Sequence, residues 1–419
     1  MLSLKTLLND VEKHKHFCYQ DIRWGLFQGK RCINIVIVPR ANSKAACSQC
    51  KQHASGYDVA SKPRSFQYIP LWNIPVILLY CMRRVNCPRC GVKVETIPWA
   101  QGKSRRSRSF NWFLAVWAQR LAWEDVARFF GTSWNRVYEA VQWAVDYGLE
   151  NRDLSGITAI GIDEISYKKG HKYLTMVYQI DENVKRLLWV GKERTEKTLE
   201  SYFKWFGEER TALLRFFCTD MWGPYLAVIE RYKSKDAINI LDRYHIMSTL
   251  NKRIDEVRRW EAKQLKAKGI EWLKSSRWCF LKRPENLTSR QCETLSNLLG
   301  LNLKTVKAYL MKEDFQRFWS YVYPKNAEKF LDAWCTRAMR SRIDPMKDFV
   351  RTLRSHRQLL LNWFKGKKLY SSGVVEGLNN KVRTTTKRSY GFRTYNVLQV
   401  SLYHNLGDLP LPLITHKFC

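Results

Sequence analysis

The chain has 419 residues, is 45% apolar and carries 17 tryptophans, which excludes a disordered polymer and allows two to four domains with substantial cores. Lysine and arginine outnumber aspartate and glutamate by 72 to 38, a formal net charge of +34 that favours a phosphate-rich partner over an unspecialised basic surface. The longest apolar stretch, 68–82, is interrupted by Pro70, Asn73 and Pro75 and is too short for a membrane helix, and residues 1–12 are too mixed and charged for a secretory leader. The expected setting is therefore the cytoplasm without membrane attachment, and the nucleoid if the source is bacterial.

Residues 1 to about 40 read as a small α/β lead-in with a strand at 32–38. Two cysteine pairs follow, Cys47-x2-Cys50 and Cys87-x2-Cys90. Each pair can present two thiolates to one ion, and four sulfurs satisfy a closed, structural Zn²⁺ site. The long gap between the pairs suggests a β hairpin, and Pro88 and Gly91 suit a tight second knuckle. Cys32, His53 and Cys81 are possible substitute ligands. The chain has 12 cysteines, and scattered ones such as Cys218, Cys279 and Cys335 lie in apolar contexts that suit reduced core residues.

Segment 102–109 is basic and poor in apolar residues, so it reads either as a linker or as a track for a DNA backbone through Arg105, Arg106 and Arg108. A helical block, 110–149, then breaks at Gly131-Thr132-Ser133. This is the shape of a helix-turn-helix: Gly131 for a left-handed turn, Ser133 for a cap, and Asn135, Arg136 and Tyr138 at the start of the second helix, where recognition residues sit. Many helical hairpins share the pattern, and the neighbouring basic run and cysteine pairs favour the DNA-reading version.

After Gly156 the period becomes strand-like. Strands are expected near 157–165, 172–180, 185–191, 213–219 and 237–241, with helices near 196–207 and 222–232. They fit a mixed sheet of order 3-2-1-4-5, an antiparallel meander extended by two parallel crossovers. Asp163 near the end of the first strand then approaches Asp220 just past the fourth, and two bare carboxylates so placed require a cation. From about 244 to 365 the chain reads as helical and rich in tryptophan, most of it core.

A final helix is expected from Ser372, its plausible N-cap, with an apolar stripe of Val374, Val375, Leu378 and Val382. Glu376, Asn379, Asn380, Arg383 and Lys387 fall mostly on the other side. That helix can offer a third carboxylate to two Mg²⁺ (or Mn²⁺) ions, which suits in-line phosphoryl transfer on a polyanion. Each acid taken alone would be read as a solvated or capping group.

The motifs Arg84-Val-Asn-Cys-Pro-Arg-Cys-Gly, Pro98-Trp-Ala, Gly161-Ile-Asp-Glu-Ile-Ser, Thr219-Asp-Met-Trp, Asp242-Arg-Tyr-His245, Val375-Glu-Gly-Leu-Asn-Asn-Lys and Arg388-Ser-Tyr-Gly-Phe-Arg, together with the helix-turn-helix pattern, run nearly end to end. In this set the chain resembles the DDE transposases of the bacterial ISL-three insertion-sequence family. The resemblance implies an RNase H-like catalytic core interrupted by a helical insertion, with Asp163, Asp220 and Glu376 as metal ligands, Asp163 bridging two ions. It implies amino-terminal modules that bind terminal inverted repeats, a target duplex, and a homodimer or larger synaptic assembly. His245 would orient a phosphate or a metal-bound water, or form a structural pair with Asp242.

The expected α/β multidomain organisation is a four-cysteine zinc module in 1–100, a helix-turn-helix domain in 101–150, the catalytic core in 151–254 and 366–419, and an all-helical insertion in 255–365. Further DNA contacts are expected from Trp278, which could stack on an unpaired base, and from Asn380, Arg383, Lys387, Arg388 and Arg393. Competing expectations are a nuclease or resolvase that cuts without joining, and a DNA-binding regulator with structural carboxylates.

Overall fold

The computed structural model describes residues 3–168, 170, 172–366 and 372–412, apart from the side chains of Lys168 and Ser372, so the expected cap at Ser372 lies outside the described residues. It is a mixed α/β protein that divides into two compact units, Met1–Asp153 with Val382–Cys419, and Leu154–Lys381.

The first unit opens with α1 (Leu4–Val11), β1 (Phe17–Phe27), β2 (Lys30–Pro39), β3 (Ser55–Val59), β4 (Arg64–Leu71), β5 (Ile74–Tyr80), β6 (Arg83–Cys87) and β7 (Gly91–Val94). They form a four-stranded sheet of order β1-β2-β5-β4 and a three-stranded sheet of order β3-β6-β7. The alternation of β2 turns Ile35 and Ile37 inward, and Trp99 fills the centre of this core. The rings of Phe17, Tyr80 and Phe66 meet Trp99 edge-on at 5.0, 5.2 and 6.1 Å.

The gap between the cysteine pairs holds more than the single hairpin expected. The apolar stretch 68–82 is the body of the β4–β5 hairpin, which belongs to the larger sheet. Trp72 and Asn73 both take positive φ at its tip, the backbone a tight two-residue hairpin requires.

Three helices follow, α2 (Arg108–Arg120), α3 (Trp123–Phe129) and α4 (Trp134–Asn151). Segment 102–109 is not a free tether. The Gln67 N–H donates to Arg105 O and the Ser107 N–H donates to Gln67 O, both at 2.8 Å, which satisfies backbone groups at the β4 edge. Buried Ser107 then caps α2 by accepting from the Phe110 N–H at 3.0 Å.

The second unit begins with β8 (Ala159–Lys168), β9 (Lys172–Ile180), β10 (Lys185–Lys192), α5 (Glu196–Phe206), α6 (Glu208–Ala212), β11 (Phe216–Thr219), α7 (Gly223–Tyr232) and β12 (Ile238–Leu241). The sheet order is β10-β9-β8-β11-β12, the 3-2-1-4-5 arrangement expected from the sequence. The first three strands are antiparallel, and β11 runs parallel to both β8 and β12. β9 is buried continuously from Leu174 to Ile180, as a strand covered on both faces must be.

Seven helices come next: α8 (Arg243–Lys266), α9 (Arg277–Leu281), α10 (Ser289–Leu299), α11 (Lys304–Gln316), α12 (Pro324–Met339), α13 (Asp344–Ser355) and α14 (Arg357–Lys365). Their core joins Leu250, Ile254, Phe315, Phe318, Trp334 and Phe349. The Glu261 carboxylate of α8 accepts the N–H groups of Lys304 and Thr305, at 2.8 and 2.7 Å, and so caps α11. Trp319, Trp334 and Trp363 are buried, whereas Trp260, Trp272 and Trp278 are about half exposed, so fewer of the six tryptophans serve the core than expected.

Among the described residues after 371 there are two helices where one was expected, α15 (Ser372–Arg388) and α16 (Tyr395–Leu406). Tyr390 and Gly391, at φ of 52° and 91°, turn the backbone between them. The expected segment 366–419 is divided, with residues up to 381 in the second unit and those from 382 in the first. Among the described residues no helix is long and apolar enough to cross a membrane.

On α16, His404 is buried, and its Nδ1 meets no hydrogen-bond partner among the described residues. Burial, aided by the Arg388 charge, pushes its pKa down to about 3. The unfolded chain therefore binds an extra proton as pH falls below the ordinary histidine value, and stability is lost across the window from about 6.5 down to about 3. Thermal melts between about pH 7 and about pH 4 should show a smaller acid-side loss for His404→Phe than for the wild type; equal losses would remove His404 as a source.

Candidate functional site

The parallel register of β11 on β8 aligns Cys218 with Gly161, so Asp220 and Asp163, each two residues further on, face the same end of neighbouring strands. Adjacent strands stand about 4.8 Å apart. Asp163 is 9% exposed. Its Oδ1 accepts the Glu164 N–H at 2.8 Å, and its Oδ2 accepts from the Asn379 amide at 2.5 Å. Asp220 accepts the Trp222 N–H at 3.0 Å, which fixes its carboxylate at the turn into α7.

Asn379 belongs to α15, and its Oδ1 accepts from Tyr178 of β9 at 2.7 Å. It lies on the buried side of that helix with Val375, Leu378 and Val382, not on the open side where the helical pattern placed it. The reason is that its amide satisfies two buried polar groups of the sheet. Val375 occupies the space above Gly161, where a Cβ would come within 2.5 Å of its Cγ2. Glu376 is partly exposed and stands one turn before Asn379. Residues three apart on a helix have Cβ atoms about 5–6 Å apart, so the Asn379–Asp163 bond brings Glu376 to this end of the sheet.

Asp242, at the end of β12, caps α8 by accepting the Tyr244 N–H at 2.6 Å. His245 follows on the first turn, with Nε2 3.7 Å from Asp242 Oδ2 and 3.9 Å from Asp163 Oδ1. Two further residues join that the sequence reading did not select. Arg194, from the loop after β10, contacts Glu164 at 2.6 Å and Asp220 at 3.6 Å, and its guanidinium lies 4.1 Å from the Trp222 ring centre. Glu164 carried a signal in its adjacency to Asp163, and Asn379 in the Leu-Asn-Asn motif; Arg194 carried none.

The electrostatics follow from crowding. Burial raises the Asp163 pKa, with His245 opposing. Burial and then the Asp220 charge push Glu164 up to about 7. Glu164 Oε2 is buried without a hydrogen-bond partner among the described residues. Carboxylate oxygens in excess of nearby cations, one of them orphaned, form a donor set that suits a hard divalent cation.

The four cysteines converge more tightly. Cys47, Cys50, Cys87 and Cys90 place their sulfurs within 4.8 Å of one another and could hold a metal ion. They are the group of three or more potential ligands that gathers in this way among the described residues, whereas Asp163, Asp220 and Glu376 are not drawn into such a cluster. The knuckles explain the gathering: Cys47 O accepts the Lys51 N–H at 2.9 Å, and Gly91 takes the positive φ of 71° expected of it. The backbone N–H of Cys50 chiefly pulls the Cys47 thiol down to about 7, while burial and its sulfur neighbours push Cys90 up to about 12.

The helical hairpin of α3 and α4 turns at Gly131, whose φ is 59°. Ser133 sits at the N-cap, yet its side chain makes no capping bond. Asn135 is exposed, Arg136 reaches Gln67 at 3.5 Å, and the Tyr138 ring stacks on Trp134 at 5.8 Å. Arg105 is exposed, whereas Arg106 pairs with Glu139 and donates to Arg136 O, and Arg108 is partly buried at the start of α2. Asn380, Arg383, Lys387 and Arg393 are exposed. Arg388 is held by Gln119 O and Asn405 at 2.7 and 3.0 Å. Arg277 lies over the ring of Trp278, 5.1 Å from its centre.

Because Val375 fills the space above Gly161, Gly161→Ala must lift α15 from β8. Overpacking of this kind costs about 1–3 kcal/mol. A lowered melting temperature is expected. An alanine variant with unchanged melting would show that the contact is slack.

Residues 160–402 match a family described as transposase, the DDE transposases of the ISL3 (ISL-three) group. The chain is 28% identical over 385 residues to the transposase for insertion sequence element IS1557 of Mycobacterium tuberculosis, covering 86% of this chain and 85% of that protein. It is 26% identical over 369 residues to the transposase for insertion sequence element IS1001 of Bordetella parapertussis, covering 87% and 89%. A match across more than half of the chain, joined to relatives aligned over most of its length, shows that the protein belongs to the ISL3 family of DDE transposases.

Proposed function

We propose that this protein cuts and joins DNA at the ends of an insertion sequence, with Asp163, Asp220 and Glu376 as the ligands of divalent cations in an RNase H-like core. The observation that carries this reading is the link from Asp163 through Asn379 to the helix bearing Glu376, with Asp220 in register on the adjacent strand. When bound, Mg²⁺ or Mn²⁺ would activate an attacking hydroxyl and neutralise the leaving oxygen of an in-line displacement. The protein's own part is placement. Asn379 fixes one oxygen of Asp163, the Trp222 N–H fixes Asp220, and Asp242 sets the first turn of α8, from which His245 Nε2 faces Asp163. His245 can there orient a phosphate oxygen or hold the carboxylates apart.

The α3–α4 hairpin acts in this reading as a helix-turn-helix that reads inverted repeats, with exposed Asn135 entering the groove and Arg105 on phosphate. Lys387 and Arg393, with Asn380 and Arg383, offer further phosphate contacts, and half-exposed Trp278 stacks on an unpaired base. Arg106, Arg136, Tyr138 and Arg388 support that surface through the protein contacts described above. The four thiols hold structural Zn²⁺: Zn–S bonds of about 2.3 Å set sulfur separations of about 3.8 Å, close to the 3.5 Å between Cys50 and Cys87. Zinc in that site would fasten strands of the three-stranded sheet. A homodimer or larger assembly brings two element ends together.

The decisive assay uses the element's own ends on a duplex, with Mg²⁺ or Mn²⁺. Wild type should nick at the end and join a pre-cut end to a target plasmid, and Asp220→Ala should lose both by at least roughly a thousandfold. Cutting without joining would favour a nuclease or resolvase; tight end binding without cutting would favour a regulator. Elemental analysis of purified protein should find about one zinc per chain, with Cys87→Ser lowering both zinc content and melting temperature. A zinc-free wild type that melts normally would remove the zinc assignment.

A further inference from the structure

Arg194 has an unusual position in the carboxylate centre. Its guanidinium contacts Glu164 at 2.6 Å and Asp220 at 3.6 Å, yet pairs bidentately with neither. Its Nε is buried without a partner among the described residues, as is Glu164 Oε2. A guanidinium fork matches one carboxylate through two parallel bonds. Here it is shared between two carboxylates and leaves donor and acceptor capacity unused on both sides.

The backbone beneath it is firmly held. Glu193 takes φ of 76°, a left-handed conformation that is strained for a residue with a side chain, and its N–H donates to Tyr173 O at 2.9 Å. Thr195 caps α5 by accepting the Thr198 N–H at 3.1 Å. The main chain on both sides of Arg194 is therefore pinned, and its side chain is 25% exposed. The Trp222 face, 4.1 Å from the guanidinium centre, gives that side chain a surface to slide on without losing its cation–π contact.

We propose that Arg194 is an internal counter-cation of this centre: a divalent cation displaces its guanidinium from Asp220, and the released guanidinium binds a phosphate of the DNA beside the carboxylates. This deepens the reading given under Proposed function and rests on it. The guanidinium neutralises part of the carboxylate charge before a cation arrives. After displacement the same group matches a phosphate in planar, bidentate fashion, which a lysine cannot reproduce. Arg194 is in this sense a positioning residue that links cation uptake to DNA engagement.

The test is Mn²⁺ binding to the full chain without DNA, followed by electron paramagnetic resonance and calorimetry; Mn²⁺ prefers oxygen ligands over the thiolate site. Removing a positive charge a few ångströms from the cation should tighten Mn²⁺ binding at least roughly tenfold in Arg194→Met. The same variant should bind end DNA more weakly in the presence of Mn²⁺ than wild type does. Arg194→Lys, which keeps the charge and loses the fork, should leave Mn²⁺ affinity near wild type while still weakening DNA binding. Circular dichroism and melting confirm that each variant is folded, and Arg194→Lys serves as the measured variant if Arg194→Met is not. Unchanged Mn²⁺ affinity in a folded Arg194→Met, or wild-type DNA binding in a folded Arg194→Lys, overturns the proposal. A wild type whose Mn²⁺ binding is indifferent to Asp163→Asn overturns instead the assignment of the carboxylates as cation ligands.

Discussion

The bond from Asn379 to Asp163 is the constraint around which the second unit is organised. It joins residues 216 positions apart in the chain, and it is made inside a region with little water to share. An aspartate in the body of a strand, buried beside Glu164 and near Asp242, is an electrostatic burden that the fold must offset locally. Asn379 offsets part of it with a neutral donor and hands the other side of its amide to Tyr178. Gly161 makes this possible, because only a residue without a Cβ lets Val375 settle onto β8 and carry the helix close enough. The position of Glu376 is thus a consequence of packing one residue away and a hydrogen bond three residues away.

The sheet of the second unit was largely legible in the sequence, and the physical reason is periodicity. β9 shows a largely apolar run bounded by polar residues, and β10, β11 and β12 are separated by helical stretches long enough for parallel crossovers. The two aspartates stood out because Asp163 lies inside an apolar run and Asp220 at the end of another. Arg194 was invisible, since a lone arginine in a loop resembles any solvated cation until the sheet brings Glu164 and Asp220 beside it. Asn379 was assigned to the wrong face for a related reason: helical patterning treats amides as polar and outward, and it cannot foresee a buried carboxylate waiting for a donor. The basic run 102–109 misled in the opposite direction. Its composition reads as solvent-facing, but its main chain completes the hydrogen bonding of β4 while Ser107 turns inward to start a helix.

The amino-terminal unit solves a different problem. Four thiols that could hold a metal ion lie among short strands whose own apolar core consists of little more than Ala45, Val85 and the cysteines themselves. The β4–β5 hairpin threaded between the two knuckles is contributed to the larger sheet instead. Such interleaving makes the small sheet and the large sheet neighbours in the chain twice over, so neither can be removed as an independent cassette.

The long stretch of chain between the two ends of the Asn379–Asp163 bond also bears on synthesis. During translation, both aspartates and most of the basic amino-terminal unit leave the ribosome before α15 is made. Seven helices with their own apolar core must be laid down in between. A nascent or prematurely released chain would therefore carry much of the proposed DNA surface while lacking Glu376. On the proposed reading, competence to break a strand arrives last, with the final tenth or so of the polypeptide, so a chain that stalls early would compete for element ends as an inert occupant rather than damage them.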